Sequence, residues 1–112
     1  MSIVKKNKYL NLNNSVIDLF GSKYTIEFKE KIIVDNSDEI LYGMCDFSNN
    51  KIYIATKNNK DEDIPIEEIH ITIIHEIVHA ILTTGKYNND SADEPLVEWI
   101  ARCLYSLHKQ IK

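Results

Sequence analysis

Hydrophobic and polar residues alternate through the first half of the chain and recur at helical spacing through the second. Over residues 23–30, Tyr24, Ile26 and Phe28 share one face and Thr25, Glu27 and Lys29 the other, the period-two pattern of a half-buried strand. Before it, Asn11, Asn13, Asn14 and Ser15 suggest a loop, residues 16–20 form a short element of ambiguous type, and Gly21-Ser22 signals a turn. After it, residues 32–34 extend the strand or open the next connection, and the polar run 35–38 breaks the pattern. Residues 41–46 and 51–56 read as a hairpin joined by Phe47-Ser48-Asn49-Asn50, and a polar linker, 57–63, leads into the second half.

From Ile66 to Thr84 the period changes to that of a helix. With His75 at the origin of a helical wheel, Ile66, Ile69, Ile73, Ile74, Ile77, Ala80 and Ile81 fill a broad arc opposite it, flanked by Ile71 and Val78. Glu68, Thr72, His75, Glu76, His79 and Thr83 share the remaining polar stripe, so the helix is expected to be buried almost all round, with this stripe its only wet side. Pro65 suits the first helical position, Glu67 and Glu68 the positive end of the dipole, and Gly85 the position after the last turn. A second helix follows, with Ser91-Ala92-Asp93-Glu94 as a capping box and Pro95 in the first turn. Leu96, Ile100, Cys103 and Leu107 make its apolar stripe, flanked by Val97, Leu104 and Ile111, and Glu94, Glu98, Arg102, Tyr105 and Lys109 lie opposite.

Composition narrows the classes. A chain of 112 residues, 44% hydrophobic and 27% charged, is a single compact domain over residues 1–112, with room for one core. The net charge of −4 argues against direct nucleic-acid binding, and Lys5, Lys6 and Lys8 read as a solvated tail. With no signal-peptide core at the start and no run of about 20 apolar residues, a cytoplasmic protein without membrane association is expected. Cys45 and Cys103 would be reduced there; Cys103, on the apolar stripe, reads as a small buried hydrophobe.

The chemistry lies in His75-Glu76-Ile77-Val78-His79, an HExxH sequence. Residues four apart on a helix project side by side, so both imidazoles can reach one Zn²⁺ at about 2.0–2.1 Å. Glu76, about 100° further round, is placed to act as general base toward a metal-activated water. A third protein ligand must come from elsewhere, and the short link 85–90 makes the second helix an antiparallel neighbour. The metal should lie about 10 Å below the end of the first helix; counted from Ser91, Glu98 is about 10.5 Å and Glu94 about 4.5 Å into the second. Depth selects Glu98, with Glu94 either orienting a ligand histidine or serving as the ligand itself.

On these residues the chain resembles the small phage- and prophage-encoded HExxH metallopeptidases, similar to ImmA/IrrE-type and minimal gluzincin proteins. The resemblance is carried by residues 19–24, 41–46, 51–54, 72–82 and 93–101, the HExxH block being the specific part. In gluzincins the third ligand is a helical glutamate often followed three residues on by alanine, matched by Glu98-Trp99-Ile100-Ala101, although Arg102 stands where Asp or Asn is usual. The resemblance implies a minimal gluzincin-like α+β fold, a small N-terminal antiparallel or mixed sheet followed by the HExxH helix and a C-terminal glutamate helix. It also implies an edge strand able to hold a peptide or protein substrate above the zinc. The expected activity is zinc-dependent hydrolysis of peptide bonds, with Tyr105 or Tyr87 as candidate donor to the developing oxyanion. Other classes are a non-catalytic zinc-stabilised regulatory or binding protein, a SprT-like protein acting on nucleic-acid-associated proteins, and a latent peptidase.

Overall fold

A computed structural model describes residues 12–34 and 39–111, so the lysine cluster at 5, 6 and 8, Asn11 and the pattern break at 35–38 lie outside the described residues. The fold is α+β. Strands β1 (Val16–Leu19), β2 (Ser22–Lys29), β5 (Gly43–Asp46) and β6 (Lys51–Ala55) form one sheet in the order β1-β2-β6-β5. Strands β3 (Ile32–Ile33) and β4 (Ile40–Leu41) pair separately. Helix α1 (Ile66–Thr84), a one-turn helix α2 (Asn88–Ser91) and helix α3 (Glu94–Ile111) follow.

The ambiguous run at 16–20 is a strand, turned back onto β2 through Phe20 and Gly21, both with positive φ (54° and 95°). Asp18 Oδ1 accepts the Gly21 N–H at 2.6 Å and closes that turn. β5 and β6 form the expected antiparallel hairpin, while β2 and β6 run parallel, so the sheet is mixed. Tyr24 and Ile26 from β2, Ile52 and Ile54 from β6, and Ile69 and Ile73 from α1 meet in one core. Alternation on the strands and period 3.6 on the helix thus converge on the same interior.

Two expectations about the helices are corrected. Pro65, with ψ of 145°, sits just before α1 rather than in its first turn. Ser91 closes α2 instead of capping α3; the cap is Asp93, whose Oδ1 accepts the Leu96 N–H at 3.2 Å. The larger difference is the orientation of α3. Its buried residues are Val97 and Ala101, and the side carrying Glu94, Glu98 and Arg102 faces α1. Leu104, Leu107 and Ile111 are exposed and Cys103 only half-buried, so the apolar stripe lies on the outer side of α3. Among the described residues, no helix is long and apolar enough to cross a membrane.

Candidate metal centre

His75 and His79 lie four residues apart on α1, their rings 4.9 Å apart, and both are largely covered, at 18% and 13% side-chain exposure. The stripe expected to be wet is therefore shielded: Glu76 is only 6% exposed. α3 covers the stripe from one side and β5 from the other.

The ligand-bearing atoms converge. His75 Nε2 and His79 Nε2 are 3.2 Å apart, and Glu94 Oε1 is 3.1 Å from the first and 2.9 Å from the second. Donors held at 2.0–2.1 Å around a tetrahedral ion stand about 3.3 Å from one another, so this triangle needs only a small expansion to fit one. Its chemistry points the same way. Glu98 Oε1 lies 2.8 Å from His75 Nδ1, where a carboxylate can only accept, so Nδ1 carries a proton and the neutral ring presents the lone pair of Nε2. That lone pair faces a carboxylate oxygen and a second imidazole nitrogen. A shared proton would satisfy one pair of these donors at a time; a divalent ion satisfies all three. His75, His79 and Glu94 form a candidate metal-binding triad.

Of the two candidate third ligands, Glu94 is the one that reaches both Nε2 atoms, whereas Glu98, the one depth selects, meets His75 at Nδ1. The link does not stay at the mouth of the helix pair, as the depth count assumes. α2 folds back along α1, placing Ser91 Oγ 3.3 Å from the His79 carbonyl and 2.9 Å from the Thr83 hydroxyl. α3 therefore begins already level with the histidines. Arg102, the departure from the expected pattern, donates from Nε to Glu98 Oε2 at 2.6 Å and approaches Glu68 at 3.5 Å. Burial acts to raise the Glu98 carboxyl, but hydrogen bonds from His75 and Arg102 outweigh it and hold Glu98 below its ordinary range.

Glu76 sits beneath Gly43 of β5. A Cβ added at Gly43 would stand 2.9 Å from Glu76 Oε2 and 2.7 Å from Thr72 Cγ2, so the close approach requires glycine. Burial pushes the Glu76 carboxyl up to about 7; His75 draws it down and Glu94 pushes it up. Cys45, also on β5, has its thiol pushed up to about 12 by burial, then by Glu76 and Asp46. It stays a neutral thiol and is not part of the triad.

A cavity of about 300 Å³ is lined by His75, Glu76, Glu94 and Glu98 together with Tyr42, Gly43, Glu68 and Arg102. Neither tyrosine singled out in the sequence lines it. Tyr105 meets His70 edge-on at 5.0 Å, and Tyr87 is exposed in the link beside Gly85. Tyr42 does line it, and was missed because nothing local marks the residue before an edge strand as facing a helix 30 residues on. Compared with protein-family models, curated proteins and solved structures, the chain matches none.

Proposed function

We propose that this protein is a zinc-dependent metallopeptidase acting on peptide or protein substrates in the cytoplasm. The observation carrying the proposal is the convergence of His75, His79 and Glu94 beside a buried carboxyl, Glu76, that takes no part in the triad. The donor set of two imidazoles and one carboxylate suits Zn²⁺ and leaves a fourth position open. The metal, when bound, supplies Lewis acidity that acidifies water and polarises an amide carbonyl.

The rest belongs to the chain's own residues. Glu76 accepts a proton from the attacking water and returns it to the leaving amine nitrogen. Its elevated affinity for protons suits both halves of that transfer. Glu98, clamped by Arg102, keeps the His75 ring in the tautomer that exposes Nε2. β5 is an edge strand of the sheet among the described residues. Tyr42 bonds to Ala55 of β6 through its carbonyl, so by antiparallel alternation the backbone groups of Gly43 and Cys45 point to the open edge. An extended peptide pairing there would pass over Glu76.

The test is elemental analysis joined to two variants. Wild-type protein should carry about one zinc per chain, His79→Ala much less, and absence of uptake on titration would remove the basis of the proposal. Glu76→Gln should retain zinc and lose about 10²–10⁴-fold in peptide hydrolysis. If zinc-loaded wild type cleaves nothing in a broad peptide library beyond the Glu76→Gln background, the reading as an active peptidase fails in favour of a structural staple or a latent enzyme.

A further inference from the structure

The outer face of α3 carries an observation independent of the metal centre. Leu96, Ile100, Cys103, Leu104, Leu107 and Ile111 form one stripe about 22 Å long. Ile111 is 82% exposed, Leu107 51% and Leu104 42%, while Trp99, at 68%, borders the stripe. On the helical wheel this stripe contains no charged residue, and it points well away from the side of α3 that carries Glu94, Glu98 and Arg102. A helix normally turns such a stripe inward; here Val97 and Ala101 alone are buried. Leu96, Ile100 and Cys103 are half-buried, and with Trp99 the exposed apolar area is on the order of 500 Å², the size of the largest, often functional, patch on a single chain.

The spacing identifies the occupant. The successive intervals from Leu96 to Ile111 are four, three, one, three and four, which read the same from either end. Laid antiparallel on a second copy of itself, the stripe sets Leu96 against Ile111, Ile100 against Leu107, and Cys103 against Leu104. This is the self-complementarity a two-fold interface requires. Burying the patch on both copies removes about 1,000 Å² from water, the lower bound for a specific interface.

We infer that the protein is a homodimer joined by antiparallel packing of α3 on α3. The metal-site cavity lies on the other side of the helix and stays open in each copy.

Sedimentation velocity on the full chain, from low to high micromolar concentration, tests this. The expected result is a species of twice the chain mass that dissociates on dilution. Leu107→Glu and, separately, Ile111→Glu should shift the sample to monomer with far-UV circular dichroism and zinc content unchanged. Ile111, in the last turn and almost fully exposed, can change without disturbing the domain. A monomer at every concentration overturns the inference, and so does a dimer that survives both substitutions.

Discussion

Within the site, two glutamates one turn apart on α3 do different work. Glu94 Oε1 reaches both histidine Nε2 atoms, whereas Glu98 is spent on His75 Nδ1 and Arg102. Zinc titrations at one pH should therefore show the larger affinity loss for Glu94→Gln, with Glu98→Gln costing about 10–100-fold, as expected when a ligand's hydrogen-bond partner is removed. The reverse order would return Glu98 to the ligand position. Gly43 makes a second residue-scale prediction, because any side chain there collides with Glu76 and Thr72. Gly43→Ala should lower hydrolysis by about 10²-fold by displacing the base, while zinc content is kept. Unchanged activity would mean that Glu76 does not need its place beneath β5.

At the scale of elements, the position of Glu94 depends on where α3 begins. α2 carries the chain back along α1, Ser91 is buried against it, and Asp93 then starts α3 level with the histidines. Asp93→Ala removes the side-chain acceptor for the Leu96 N–H and should cost about 1 kcal/mol. For a domain of this size that lowers the melting temperature by about 4 °C. Because Glu94 is the next residue, zinc affinity should fall in the same variant. A scanning calorimetry trace that matches wild type would show the cap to be dispensable.

For the molecule as a whole, the mixed sheet and the buried side of α1 form one core, and the candidate metal centre lies between α1, α3 and β5. An ion held by α1 and α3 together binds only the folded chain, so zinc above its Kd should raise the stability with the logarithm of its concentration. The stabilisation is about 2.7 kcal/mol at a hundredfold excess over Kd, and a chelator should reverse it. A melting temperature indifferent to both would argue that no ion bridges the helices.

The residues themselves determined a good deal of this. Period-two alternation over residues 23–30 and 51–56 and the helical arc of isoleucines from Ile66 produced strands and a helix near where they were expected, since burial of one face is a local property of the pattern. The side-by-side placement of His75 and His79 likewise follows from four-residue spacing alone. What required the tertiary structure was every relation between elements: the parallel pairing of β2 with β6, the glycine of β5 above Glu76, and the choice between Glu94 and Glu98. The orientation of α3 shows why. Its apolar stripe named a face to bury, yet the packed molecule sets the carboxylates of α3 against histidines on α1 and leaves that stripe outward, a relation between two elements that the pattern of one does not contain.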